Sequence, residues 1–505
     1  MKKIVLFGAG KSASVLIDYL LSGATENNWH IIIADANKNL VEEKTKQHKS
    51  ATAVGLDIKN DADRKKLVAG ADIVISMMPP ALHILIAKDC IEYGKNLLTA
   101  SYADDEIKSL NEQVKNKGII FLCEMGLDPG LDHMSAMQLL DEVKEAGAVV
   151  TSFKSHCGGL VAPESDDNPW HYKITWNPRN IVLAGKAGAV YKENGETITE
   201  SYKALFNANR NVSTGNEEVP VLSYYPNRNS IPYIDLYGLQ QADTFIRTTL
   251  RYPEFMYGWK HIIELRLTDE DAYYDSNGKS LHDFFKEHFD KHGFGNWLQE
   301  KLSDGFAETT MLLENLVKIM EAEEQAEKMG EAAPENFMLV DEKGNLKNIE
   351  MDQVKSDAAG TVASRMHEAN LTLKQLFFLG LDDHDTMINK GVCSAADVLQ
   401  LALETKLLMH PGDKDMIVML HEIEYNLNGK PHGIHSLLLV KGDDAVHTAM
   451  AKTVGLPLGI AAKLILEGKI NMKGVHIPIS KEIYEPVLAE LKKHGITFVE
   501  NRSAI

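Results

Sequence analysis

An apolar run, Lys3-Ile4-Val5-Leu6-Phe7, passes straight into Gly8-Ala9-Gly10-Lys11-Ser12-Ala13, and a second run, His30-Ile31-Ile32-Ile33-Ala34, closes on Asp35. A strand leading into G-x-G-x-x-A and a helical segment, with an acid about 20 residues on, is the pattern of a βαβ unit that binds a dinucleotide. Gly8 permits the tight turn off the strand, Gly10 lets backbone approach a pyrophosphate, and small Ala13 lets the helix pack on the strand. The free N–H groups of that helix then face the phosphates, so no cation is required there. Asp35 stands where a carboxylate accepts the adenosine ribose hydroxyls and repels a 2′-phosphate. Ala36 follows it, and no arginine is close in sequence. The loop therefore predicts redox chemistry with NAD in preference to NADP.

From residue 1 to about 127, β-rich runs alternate with helical segments. Ala51–Val54, Asp72–Ser76, Asn96–Thr99 and Gly118–Leu122 follow the first two strands, with 81–93 and 103–116 suited to helices. Six strands with right-handed crossovers make a doubly wound parallel sheet of α/β class, with its ligand crevice at the carboxyl ends of the strands. Ser76 to Pro80, Ala100-Ser101-Tyr102 and Glu124-Met125-Gly126 fall at those ends. Residues 128–265 carry turn signals such as Asn168-Pro169 and Pro226-Asn227 with short alternating runs, and predict an antiparallel sheet with long loops. Helical spacing dominates 280–408, including Leu281–Lys286 and Met311–Met320, and the acidic stretch 321–331 is expected to be a solvated face or a mobile connection, not a binding site. Strand-like alternation returns at Asp415–Leu420 and Ser436–Val440, before a helix with a small-residue face from about Ala445 to Leu466 and a final βα-like piece.

At 505 residues the chain is too long for one core. Its net charge of −19 argues against nucleic acid or an anionic membrane as partner. Four scattered cysteines without C-x-x-C spacing argue against a disulfide framework or a zinc site, and no metal is expected. No run reaches the ~18 consecutive apolar residues that span a bilayer. A reduced, cytoplasmic protein is the expectation.

Several residues could carry chemistry. Asp128, Asp132 and His133 lie just past the sixth strand in Gly126-Leu127-Asp128-Pro129-Gly130-Leu131-Asp132-His133, with Asp132 suited to a helix N-cap. Cys157 precedes Gly158-Gly159, where a lone cysteine is ordinarily a buried packing group. Arg228, Arg247 and Arg251 could clamp carboxylates bidentately, although a surface ion pair is the default for any one of them.

Glu124 to His133, His156-Cys157-Gly158-Gly159-Leu160, Ala162-Pro163-Glu164-Ser165, Asp167-Asn168-Pro169, Tyr225-Pro226-Asn227-Arg228, Thr249-Leu250-Arg251-Tyr252, Ala449 to Pro457 and Lys481-Glu482-Ile483-Tyr484 together resemble the saccharopine reductase family, the glutamate-forming saccharopine dehydrogenases. The resemblance spans nearly the whole chain and is weakest over 290–400. It implies a Rossmann domain (1–127 plus about 445–505), an α/β substrate and dimerisation domain (128–280 plus about 409–444) and an inserted helical domain (281–408). It also implies a homodimer acting in lysine metabolism on saccharopine, a secondary amine joining lysine to glutamate. By the same resemblance, cofactor contacts fall on Ala9, Gly10, Lys11, Ser12, Asp35, Ala36, Asp57, Ile58, Ala100 and Ser101. Substrate contacts fall on Ser101, Tyr102, Asp128, Arg228, Thr249, Leu250 and Arg251, and Arg228 and Arg251 would anchor substrate carboxylates. Asp128, Tyr102 and Cys157 are the general acid/base candidates, in that order. Asp35-Ala36 departs from the arginine-bearing NADP pattern of fungal members and resembles the NAD-using, lysine-degrading branch. His156 replaces the tyrosine usual before the cysteine, which leaves open whether it moves a proton. A sibling reductase acting on a carboxynorspermidine-type dicarboxylate, or an NAD-binding sensor without catalysis, is the alternative.

Overall fold

The computed structural model describes residues 1–207, 210–271, 273–297 and 370–504, with the backbone of strands Asn336–Val340 and Leu346–Glu350. The chain forms two compact units, one of Met1–Asp167, His171–Met256 and Leu407–Ile505, the other of Asn168–Trp170 and Tyr257–Lys406.

The first unit opens with the expected parallel strands: β1 (Lys2–Phe7), β2 (Trp29–Asp35), β3 (Ala51–Gly55), β4 (Ile73–Ser76), β5 (Asn96–Thr99) and β6 (Ile120–Leu122). They lie in the order β3-β2-β1-β4-β5-β6, and Gly474–His476, from the C-terminal part of the chain, adds a seventh parallel strand beside β6. The chain reverses between β1 and β4, which opens the crevice beside the glycine loop. The pleat sorts each strand onto two cores. Ile4, Leu6, Ile73, Ile75, Ile120 and Leu122 enter one, while Val5, Phe7, Val74 and Phe121 enter the other.

The first of these cores also takes helix α1 (Ser14–Gly23), helix α2 (Leu131–Glu145) and helix α3 (Ala449–Leu466), then one face of a second, ten-stranded sheet. By length and composition α3 is apolar enough to cross a membrane, although its polar residues break any uninterrupted apolar run, and most of it is buried in the fold. Its small-residue face explains the close approach to α1. A Cβ at Gly455 would stand 2.7 Å from the Leu16 nitrogen, and one at Gly459 would meet the Tyr19 ring.

The second sheet is built around Val149–Val161, Thr244–Arg251, Asp415–Leu427 and Lys430–Lys441. It is mixed, not wholly antiparallel: Thr244–Arg251 runs parallel to Val149–Val161, with Thr249 opposite Cys157. Alternation along an isolated strand does not encode its direction, so this pairing was not visible in sequence. Strand Val499–Ala504 also joins the sheet, beside Lys430–Lys441.

The second unit contains helices Leu281–His292 and Ala395–Lys406, the first begun by a Ser280/Asp283 capping box. It also holds a hairpin of Asn336–Val340 and Leu346–Glu350 within the region expected to be helical. The run at 311–320 and the acidic stretch 321–331 lie outside the described residues.

Candidate active site

The glycine loop has the predicted form. Gly8 has φ +97°, and a Cβ there would lie 2.9 Å from the Met77 carbonyl oxygen. At Gly10 a Cβ would meet nothing, leaving open space against the backbone. Asp35 does more than its motif requires: Oδ2 accepts the Ala9 N–H at 2.8 Å and Oδ1 the Asn37 N–H at 2.9 Å. One hollow is lined by Asp35, Ala36, Asp57 and Ile58 with Phe7 and Met78, so four sequence-predicted cofactor residues meet around it. Lys44, which sequence reasoning missed, donates to the Gly10 carbonyl at 2.7 Å and to Ser14 Oγ at 2.8 Å, fixing the loop from outside. These features fit a dinucleotide laid with its pyrophosphate on Gly8 to Ala13 and its adenosine in the hollow beside Asp35.

At the end of β5, Ser101 Oγ lies 2.8 Å from His83 Nε2, whose ring also meets Ser76 Oγ through Nδ1 at 2.8 Å and Thr99 Oγ1 at 3.2 Å. Burial holds His83 at about 4, so the ring is neutral and organises the hydroxyls as a single donor and a single acceptor.

The loop after β6 carries the second cluster. Gly130, at φ +146°, begins α2 and packs so closely on Gly126 that a side chain there would strike the Gly126 carbonyl. The predicted N-cap, Asp132, lies instead within the first turn of α2, where Oδ1 accepts the Gly130 N–H at 2.6 Å. Arg247 reaches in from the second sheet, its Nη2 donating to Asp128 Oδ1 at 2.7 Å and to Asp132 Oδ2 at 2.6 Å. Tyr102 also donates to Asp128 Oδ1, at 3.2 Å. Behind this group, the Glu124 carboxylate meets His133 Nε2 at 2.8 Å and receives the Tyr233 hydroxyl at 3.3 Å, while His133 Nδ1 meets the Tyr237 hydroxyl at 2.6 Å. Glu124 was placed at the crevice in sequence without a role, and Tyr233 and Tyr237 were not singled out. The last two, four residues apart across one helical turn, were the available signal.

Burial pushes the Asp128 carboxyl up to about 6 against the pull of Arg247, with Asp132 adding to the rise. Asp132 is also buried, but His133, Arg247 and the Gly130 N–H outweigh burial and hold it below the usual carboxylate range. Burial raises the Tyr102 hydroxyl and the Cys157 thiol well above their ordinary values, so both stay protonated at neutral pH. Cys157 faces the central core. His156 points to the opposite side of the pleat, where Nδ1 meets Thr248 Oγ1 at 2.7 Å and Nε2 meets Glu422 at 3.0 Å, which takes it away from Cys157 and Asp128.

The three arginines divide by partner. Arg247 is committed to two carboxylates. Arg228 is exposed, lies 5.3 Å from the Tyr102 ring centroid and has no ion pair among the described residues. Arg251 is buried against Tyr172 and Phe255, and among the described residues it donates only to the Leu250 carbonyl, at 2.7 Å, and its Nε has no partner. Among the described residues, Arg247 alone of the three is ion-paired; Arg228 and Arg251 are not.

The profile described as Saccharopine dehydrogenase NADP binding domain matches residues 4–122, and that described as Saccharopine dehydrogenase C-terminal domain matches 126–496. The chain is 33% identical to the mitochondrial alpha-aminoadipic semialdehyde synthase of Bos taurus over 98% of its own length and 47% of that protein's, so it spans about half of this relative. It is 30% identical, over 100% of both chains, to the saccharopine dehydrogenase [NADP(+), L-glutamate-forming] of Saccharomyces cerevisiae. The apo structure of saccharopine dehydrogenase (L-Glu forming) from that yeast superposes with a TM-score of 0.76 at 27% identity, covering 100% of both chains. A Rossmann sheet with its glycine loop, a second sheet, and an acid pair bridged by one arginine thus occur in a sequence matched from end to end, and the chain belongs to the saccharopine dehydrogenase family.

Proposed function

We propose that this chain is a glutamate-forming saccharopine dehydrogenase that uses NAD. The reaction oxidises the secondary amine of saccharopine to an imine, which water converts through a carbinolamine to glutamate and 2-aminoadipate 6-semialdehyde. A bound nicotinamide dinucleotide supplies the hydride acceptor. Gly8 to Ala13 and Asp35, Ala36, Asp57 and Ile58 hold that cofactor, while Ala100 and Ser101 meet it at the end of β5. Arg228 and Arg251 anchor substrate carboxylates, with Thr249 and Leu250 on the strand end that carries Arg251. Asp128 accepts a proton from the attacking water and returns it to the departing amine, a task suited to a carboxyl near 6. Tyr102 orients Asp128 through Oδ1. Cys157 packs beside them as a protonated thiol.

The observation that carries this reading is the pairing pattern: Arg247 neutralised by Asp128 and Asp132, with Arg228 and Arg251 left for a multiply anionic substrate. The NAD preference rests on Asp35, whose carboxylate opposes a 2′-phosphate, although the fungal relatives are named for NADP. Steady-state rates with saccharopine and each nicotinamide cofactor test both points. Turnover of carboxynorspermidine in place of saccharopine, or cofactor binding with no turnover, would overturn the substrate assignment. A lower KM for NADP than for NAD would overturn the cofactor assignment. Asp128→Asn is expected to lower kcat by about 10²-fold or more and abolish the acidic limb of the rate profile. We further propose that the chain works as a homodimer, which light scattering on the purified protein checks.

A further inference from the structure

Two buried carboxylates draw on one cation in this site, and they are not equivalent. Asp132 is pinned on both oxygens, Oδ1 by the Gly130 N–H at 2.6 Å and Oδ2 by Arg247 Nη2 at 2.6 Å, with His133 Nδ1 at 3.7 Å from Oδ2. Among the described residues Asp128 is held on Oδ1 alone, by Tyr102 and the same Nη2, and its Oδ2 has no hydrogen bond there. Its side chain retains 13% exposure against 2% for Asp132. Arg247 cannot add a second cationic contact from Nε, which is buried and unbonded, facing the Tyr233 ring with its guanidinium carbon 4.5 Å from the centroid.

We propose that Asp132 is a positioning residue for proton transfer. By taking half of the Arg247 Nη2 and fixing it against Gly130, it leaves Asp128 as the carboxylate that gains and loses the proton, and Oδ2 as the exchanging atom. This rests on the reading of Asp128 as the acid/base group.

The groups facing Asp128 are Tyr102 from the end of β5, Asp132 and His133 from α2, and Arg247 from the second sheet. Cys157 and Tyr233 also feel its charge, and both are protonated at neutral pH. Of these neighbours Asp132 is the one that opposes ionisation of Asp128 through its own negative charge. Removing that charge gives Arg247 to Asp128 alone, which makes Asp128 easier to ionise.

The test is the pH dependence of kcat/KM for saccharopine oxidation in Asp132→Asn, with NADH fluorescence titration to confirm an intact cofactor site. The acidic limb is expected to move to lower pH by about one unit. A merely structural role would lower the rate at every pH and leave the limb in place, and that result overturns the proposal. If Asp132→Asn does not fold, Arg247→Lys is read instead. A single-point ammonium shared less evenly raises the limb, and an unmoved limb again overturns the proposal. Asp128→Asn separates the two levels. If it keeps the wild-type profile, the limb does not belong to Asp128, and the functional reading falls together with the proposal built on it. If it loses the limb while Asp132→Asn does not shift it, only the role of Asp132 falls.

Discussion

Asp35 makes the cofactor preference measurable, because its carboxylate serves two purposes that a single substitution can separate. Both oxygens already accept backbone N–H groups, from Ala9 in the glycine loop and from Asn37 at the start of the next helix. Asp35 also lines the hollow, with Ala36, Asp57 and Ile58. In Asp35→Asn the shape is kept, the negative charge is lost, and one oxygen becomes an N–H₂ that confronts a backbone donor. The damage to the loop falls on NAD and NADP alike, so it cancels in the ratio of their kcat/KM values. What remains is the ribose end. There NAD loses a charge-assisted hydrogen bond of about 1.5–3 kcal/mol, which is roughly 10- to 150-fold. NADP is relieved of a carboxylate facing its 2′-phosphate. The ratio of NAD to NADP kcat/KM is therefore expected to fall by about 10-fold or more, at a saccharopine concentration held constant for both cofactors. A ratio unchanged between wild type and Asp35→Asn would refute the reasoning, even if both rates fell, because it would show that Asp35 acts only through the loop.

Three further outcomes concern the framework. Gly455→Val places a branched side chain where even a Cβ would lie 2.7 Å from the Leu16 backbone nitrogen. It is expected to destabilise the protein by about 1–3 kcal/mol in urea unfolding, and an unshifted midpoint would show that α1 and α3 part more easily than their packing indicates. Asp89→Ala strips the partner bonded at 2.7 Å to the buried Arg64 Nε; because Arg64 keeps Asp61 and the Ile58 carbonyl, the expected cost is about 3 kcal/mol, the low end for a broken buried pair, and Asp89→Asn should cost less. His447 is held above its ordinary value by hydrogen bonds to Asp444 and Asp18, against some desolvation. Its contribution is full below the unfolded imidazole value of about 6.5 and is lost as pH rises through the higher folded value. Since these side chains are over a third exposed, His447→Gln should cost under about 1 kcal/mol at pH 5.5 and nothing by pH 9, as read by thermal melts.

The parallel sheet was legible because its strands are buried on both faces and so appear as short continuous apolar runs, such as Ile73 to Ile75, stopped by polar residues and turns. Strand Val499–Ala504 had no such signature. All six residues are exposed, and it is a strand only because Lys430–Lys441 lies beside it. His156 and Cys157 show the same limit at the scale of one residue. Their adjacency suggested a shared role, and the pleat sends them to opposite faces, which only the pairing partners Leu420, Met419, Thr248 and Thr249 reveal.

Asp128 and Tyr102 were singled out because strand ends at a doubly wound crevice are where chemistry gathers, but the arginine that binds Asp128 is 119 residues away in sequence. Nothing local distinguishes Arg247 from Arg228 or Arg251. All three are arginines on or beside short strands, and any could have been an anchor. Their division follows from what surrounds each guanidinium. Arg247 reaches the first turn of α2, where a second acid is already fixed by the Gly130 N–H, and two charges there consume it. Arg228 stands at φ +55°, exposed beside an aromatic ring, and Arg251 lies against Tyr172 and Phe255 with only a carbonyl as hydrogen-bond partner among the described residues. A cation buried on aromatic faces without a counter-ion bears a desolvation cost that an incoming carboxylate relieves. Arg247, the best connected of the three, is therefore the one least suited to take up a further carboxylate, and the proposal of Arg228 and Arg251 as anchors rests on the ion pairs they lack among the described residues.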